Sequence, residues 1–196
     1  MHVLKLKKLQ SFNGGEKLKI YSTRHGQTSY NKQEIIMGTT DIDLDSTGEQ
    51  QAEALAERIA ELGTIDIIIA SPMKRAQKTA RAVAERCGLE IVTEERFREW
   101  DYGSYEGKSR FTEGFAENKV NFGVRMGKSG ESLLQLSHRV YSALDDIIAD
   151  YSGKTLLLVT HGGVCRVIET YFNDMTNEQF SNWFMDNCGL IEYSIN

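Results

Sequence analysis

A chain of 196 residues, 40% hydrophobic and 26% charged, is long enough for one ordinary domain, and its average composition excludes a disordered, collagen-like or coiled-coil chain. A formal net charge of −5 argues against sequence-independent nucleic-acid binding, which needs a basic surface. No apolar run approaches the roughly 18 residues of a membrane span, and lysines interrupt the N-terminal MHVLKLKKLQSFNGGEKLK too often for a signal peptide, so a cytoplasmic location is expected.

Residues 1–17 read as a basic leader ending near Asn13-Gly14-Gly15, its order left open, and 18–196 as a single domain, because no proline-rich, serine-rich or repeated stretch divides them. Ile20-Tyr21-Ser22 reads as a short strand. Residues 47–62 carry Ala52, Leu55, Ala56, Ile59 and Leu62 at helical spacing; Thr47 with Gln50 resembles a capping box, and Gly63 supplies the stop. Ile65–Ala70 is short and almost wholly apolar, as in a strand buried on both faces. A helix is then expected from Ser71-Pro72, with serine as the cap and an Ala76, Ala80, Val83, Ala84, Cys87 stripe, ending at Gly88.

Residues 89–93 suggest another strand, and 94–110 a polar and aromatic loop. Segment 108–128 carries a net charge of +3 together with Phe111, Phe115, Phe122 and Met126, and reads as a cap over a site, with a packed surface helix as the plain alternative. Ser132 and Gln135 form a second capping box, opening a helix through Tyr151 that Gly153 closes. Thr155–Thr160 is a second apolar strand, His161-Gly162-Gly163 leads into a helix, another helix is expected near 176–185, and Leu190–Ile195 suits a terminal strand. This alternation predicts a three-layer α/β/α sandwich with a mostly parallel central sheet.

Ligands bind beyond the carboxyl ends of the strands in such sheets. Three expected strands end at basic residues, Arg24-His25, Lys74-Arg75 and His161, which should therefore converge on one edge. Two histidines and two arginines beside helix N-termini suit a phosphate, and the guanidinium fork favours Arg24 and Arg75 over Lys74 as ligands. A histidine there can attack phosphorus only when neutral, and neighbouring guanidinium charges disfavour its protonated form. The cysteines Cys87, Cys165 and Cys188 lack zinc-site spacing and read as free thiols, Cys165 as a small buried hydrophobe; no metal site is indicated.

The segments YSTRHGQTSYN, ASPMKRAQKTA, FREWDYGSYEG and VTHGGV, in that order, resemble the histidine phosphatase superfamily, also called the phosphoglycerate mutase-like family. The resemblance implies that His25 is transiently phosphorylated, that Arg24, Arg75, Asn31 and the Gly162 backbone bind the phosphoryl group, that His161 hydrogen-bonds its equatorial oxygens, and that Glu99 is the general acid. An alkoxide leaves poorly, so a carboxylic acid at the bridging oxygen is worth roughly 10²–10⁴ in rate. Glu106 is the rival acid, and a surface charge run is the uneventful reading of Glu99. His2 and His138 have no supporting context, and Ser129–Ser132 resembles a Gly-Glu-Ser segment of the family, although capping already accounts for Ser132.

Mutases and phosphatases share the phosphohistidine half-reaction. Family mutases resemble one another in a long insertion between acid and late histidine and in a basic pair after the acid; here 62 positions separate Glu99 from His161, and Trp100-Asp101 follows the acid. The expectation is a phosphomonoesterase for a small phosphorylated metabolite, with no metal or cofactor and no nucleic-acid or membrane partner. The alternatives are a phosphoglycerate mutase, which would need a 2,3-bisphosphoglycerate primer, and a non-catalytic phosphate-binding or scaffold protein. Substrate and oligomeric state stay open.

Overall fold

The computed structural model describes residues 18–195; the leader expected over 1–17 and His2 within it lie outside them. The elements run β1 (Leu18–Arg24), α1 (Ser29–Lys32), α2 (Ser46–Leu62), β2 (Ile67–Ala70), α3 (Lys74–Cys87), β3 (Ile91–Thr93), α4 (Phe115–Asn118), α5 (Leu133–Asp150), β4 (Thr155–Thr160), α6 (Gly162–Phe172), α7 (Asn177–Asn182) and β5 (Leu190–Ile195). Two 3-10 turns, Glu95–Phe97 and Gly103–Tyr105, interrupt the long loop after β3.

The strands lie in the order β3-β2-β4-β1-β5, parallel except for β5, which runs antiparallel to β1. Adjacent side chains of a strand point to opposite faces, so β4 sends Leu156 and Leu158 into one apolar layer and Leu157 and Val159 into the other. Leu55 and Ile59 of α2 and Ala76, Ala80 and Val83 of α3 cover the second layer. Leu136, Val140, Leu144 and Ile147 of α5, with Val164, Val167 and Ile168 of α6, cover the first. The sheet is thus sandwiched, as the alternating pattern predicts.

Helix entries follow local hydrogen bonding, with two corrections to the sequence reading. The Ser132–Gln135 capping box forms as expected. Thr47 does not cap α2: Asp45, two residues earlier and in extended conformation, accepts from the Gly48 N–H at 2.9 Å. Ser71 does not cap α3 either. That helix starts at Lys74 behind Met73, which has no capping side chain, and the Lys74 N–H donates to Asp41 at 2.8 Å. The Ser71 hydroxyl is engaged elsewhere, by His161.

An N-cap carboxylate contributes about 1 kcal/mol. Asp45→Ala should lower the unfolding free energy by about 1 kcal/mol in urea melts, whereas Thr47→Ala, at an exposed position within the helix, should stay within about 0.5 kcal/mol of the parent.

Candidate active site

Parallel pairing puts the ends of β1, β2 and β4 side by side. Arg24 is in register with Thr160 and Ala70 with Val159. The His25 N–H then donates to the Thr160 carbonyl and the Ser71 N–H to the Val159 carbonyl, each at 3.0 Å. The residues that leave these strands, His25, Ser71 and His161, are neighbours for that reason, and the two imidazole centroids lie 5.2 Å apart.

His25 is 2% exposed. Its Nδ1 lies 2.7 Å from the Gly26 carbonyl, and because a carbonyl only accepts, Nδ1 carries the hydrogen and Nε2 keeps its lone pair. Burial, then the charges of Arg75 and Arg24, hold its pKa well below the ordinary histidine value, against the opposing pull of the Gly26 bond. His161, fully buried, is depressed likewise by burial and Arg75. Arg75 Nε donates to His161 Nδ1 at 3.2 Å, so the proton sits on Nε2, which donates to Ser71 Oγ at 2.7 Å.

Arg75 has no exposed surface. Its Nη1 donates to the Thr40 carbonyl at 2.8 Å and its Nη2 to the Gly38 carbonyl at 2.9 Å. Burial lowers its pKa to about 10, which leaves it charged at neutral pH. The carbonyls that hold it belong to a loop gripped by Glu106. Oε1 accepts from the Thr39 N–H and hydroxyl at 2.6 and 2.9 Å, and Oε2 from those of Thr40 at 3.0 and 2.7 Å. Burial opposes the charge of Glu106, yet these bonds hold its carboxyl below the usual range.

A cleft of about 430 Å³ opens at this edge, and Arg24, His25, Asn31, Glu99 and Gly162 line it. Arg75 and His161 lie behind it, and Glu106 is not among its lining residues. Of the two carboxylates weighed as the acid, Glu99 therefore faces the cleft, while Glu106 spends its oxygens on the Thr39-Thr40 loop. Arg24 donates Nη1 to the Met185 carbonyl at 3.1 Å, and its buried Nε has no partner among the described residues. The Asn31 Oδ1 closes the Thr28 capping box and also accepts from Asn187 at 3.4 Å.

Glu99 is 6% exposed; Oε1 accepts from the Trp100 N–H at 2.8 Å and Oε2 from the Gly163 N–H at 3.1 Å. A Cβ on Gly163 would lie 2.6 Å from Glu99 Oε1, so any larger residue at the second glycine of His-Gly-Gly would push the carboxylate aside. The loop bearing Glu99 is pinned by Arg139, which donates to the carbonyls of Arg96, Arg98 and Glu99 while paired with Glu131 at 2.8 Å. Arg139, Asn187 and Arg166 are support or cleft-lining residues that carry no local sequence signal, and Ser71 carries only the signal of a helix cap. Asn187, whose Nδ2 donates to the His25 carbonyl at 2.7 Å, comes from the loop before β5, far away in the chain. Among the described residues no three His, Cys, Asp or Glu side chains cluster as metal ligands, and no helix is long and apolar enough to cross a membrane. Cys165 is buried against Thr160 and Ser22, and burial pushes its thiol up to about 11, as befits a small core residue.

The model of the histidine phosphatase superfamily (branch 1) matches residues 20–196, and the chain belongs to that family. It is 41% identical over 152 residues to an Enterobacter protein named "Probable phosphoglycerate mutase GpmB", covering 74% of this chain and 70% of the relative. It is 33% identical over 180 residues to a Hydrogenobacter thermophilus protein named "Putative phosphoserine phosphatase 2", covering 89% and 88%. The phosphoserine phosphatase of Entamoeba histolytica, solved with 3-phosphoglyceric acid, superposes with a TM-score of 0.79 at 28% identity over 89% of each chain.

Two histidines kept neutral in the fold gain protons more readily on unfolding. Their depressed pKa values therefore give stability that is present above the unfolded value near 6.5 and is lost as pH falls below it. Urea melts between pH 8 and 5 should show the unfolding free energy dropping below pH ~6.5 by up to about 1.4 kcal/mol per pH unit for each histidine. His25→Gln should flatten that slope by one histidine's share.

Proposed function

We propose that this chain is a phosphomonoester hydrolase that acts on a small phosphorylated metabolite through a phosphohistidine at His25. The observation that carries this reading is the state of His25: a neutral imidazole with Nδ1–H tied to the Gly26 carbonyl, in a cleft that also holds the unpartnered Arg24 Nε. Such a ring offers Nε2 to phosphorus without first losing a proton.

In this mechanism Arg24, Asn31 and the Gly162 backbone bind the phosphoryl oxygens at the mouth of α6. Arg75 supplies positive charge from behind, and His161 offers its Nε2–H in exchange for the bond to Ser71. His25 Nε2 bonds to phosphorus as the ester oxygen departs with the proton of Glu99. Glu99, now ionised, takes a proton from water, which attacks the phosphohistidine and releases inorganic phosphate and neutral His25. Arginine charges and the His161 N–H meet the phosphoryl oxygens throughout, so the scheme calls on no metal or cofactor.

Phosphatase names among the relatives and neighbours support hydrolysis, and so does the short interval between Glu99 and His161. A mutase reading is favoured by the name of the Enterobacter relative; it would require retention of the phosphoenzyme and a 2,3-bisphosphoglycerate primer. The deciding experiment measures phosphate release from a panel of phosphomonoesters, including 3-phosphoglycerate, with product isomers resolved. Phosphate without 2-phosphoglycerate is the expected result; primer-dependent isomerisation would replace the hydrolase reading, and binding without turnover would leave a non-catalytic protein.

Four variants follow from the geometry. His25→Ala should yield neither turnover nor an acid-labile phosphoenzyme in rapid-quench labelling. Glu99→Gln should lower kcat on alkyl phosphates by roughly 10²–10⁴-fold while sparing 4-nitrophenyl phosphate, whose leaving group needs no proton. Gly163→Ala should reproduce that selective loss by displacing the Glu99 carboxylate, whereas Glu106→Gln should affect both substrates alike, because it acts through the loop that holds Arg75.

A further inference from the structure

Among the described residues, only two buried side-chain nitrogens or oxygens lack a hydrogen-bond partner: Nε of Arg24 and Nε of Arg166. Both arginines line the same cleft. Buried donors are almost always satisfied in folded proteins, and the two exceptions belong to arginines that line one cleft, where a ligand can supply acceptors to their guanidinium groups. Arg24 belongs to the phosphoryl end. Arg166 lies one helical turn beyond Gly162 on the same face of α6, further from the sheet edge.

The Arg166 guanidinium is held in place before any ligand arrives. Its Nη2 donates to the Trp183 carbonyl at 2.8 Å, and its face lies over the Phe180 ring at 5.3 Å. The same cleft is lined by Lys119, whose ammonium lies 5.2 Å over the Phe115 ring, and by Arg110, which reaches Glu34 only at 3.9 Å on an exposed surface. The cleft lining thus carries four cations, Arg24, Arg110, Lys119 and Arg166, against the carboxylates of Glu34 and Glu99. Burial, then repulsion from Arg166 and Arg110, lowers Lys119 to about 8. Like charges gathered in a partly desolvated cavity repel one another until an anion enters.

We infer that Arg166, Lys119 and Arg110 form a second anion subsite at the leaving-group end of the cleft, so that the substrate is a small phosphomonoester bearing another anionic group, a carboxylate or a phosphate, on its departing alcohol. This inference rests on the phosphomonoesterase reading above. The cap segment and the second turn of α6 supply these three residues, whereas the phosphoryl end is built by β1, α1 and the first residue of α6. A volume of about 430 Å³ suits a small metabolite.

The test compares kcat/KM within matched pairs of substrates: 3-phosphoglycerate against glycerol 3-phosphate, which exchanges the carboxylate for a hydroxymethyl group, and propane-1,3-diol bisphosphate against 3-hydroxypropyl phosphate. The parent should prefer the anionic member of at least one pair by about tenfold or more, the strength of one desolvated charge-assisted bond, and the pair that shows the preference identifies the anion. Lys119→Met and Arg166→Met should each lower that ratio about tenfold. A ratio is insensitive to the fraction of folded enzyme, and Lys119, on the cap, tests the subsite even where loss of half-buried Arg166 impairs folding. Ratios near one in the parent, or ratios unchanged in both variants, would overturn the inference and return Arg166 to the phosphoryl end. Failure to hydrolyse 4-nitrophenyl phosphate as well would instead sink the phosphomonoesterase reading, and this one with it.

Discussion

A guanidinium buried without a carboxylate against it organises the whole edge of this sheet. Taking an arginine out of water costs several kcal/mol unless its donors are met, and Arg75 meets them with the Gly38 and Thr40 carbonyls and with His161 Nδ1. Because its partners are neutral, its charge stays available to the surroundings. That charge, together with burial, keeps both imidazoles unprotonated, and the bond to Nδ1 fixes which nitrogen of His161 carries hydrogen. Substituting a carboxylate for either carbonyl would satisfy Arg75 locally and quench the field that the histidines experience.

The same logic of divided labour applies to the acidic residues. Glu106 and Glu131 are engaged by strong bonds and act as struts: one holds the loop behind Arg75, and the other locks Arg139 onto the backbone that carries Glu99. Glu99 faces the cleft, meeting only two backbone N–H groups. A carboxylate saturated by donors has no free oxygen for a reacting group, so the contrast between Glu99 and Glu106 lies in how many partners surround each, although both come from one short stretch of chain.

Legibility in the sequence tracked how local each interaction is. The apolar runs of β2 and β4 and the stripes of α3 and α5 were readable because burial repeats with the period of the element itself. The Ser132–Gln135 box was readable because both partners lie within one turn. Thr47 and Ser71 misled for the complementary reason. Each has the right residue type beside a helix start, but Asp45 wins the Gly48 N–H for α2, and Ser71 is bound by an imidazole 90 positions away.

The sequence by itself determined the family and the layered α/β architecture and singled out His25, Arg24, Arg75, Glu99 and His161 as candidates, since residue types and strand-to-helix order are properties of the chain read in one dimension. Only the tertiary structure decided which of them reach the cleft and which stand behind it, that Glu106 faces a loop, and that Arg166 and Lys119 line the same cleft. Those outcomes depend on desolvation and on donors arriving from distant segments. Such quantities do not exist until the parallel register of β1, β2 and β4 brings the three strand ends together.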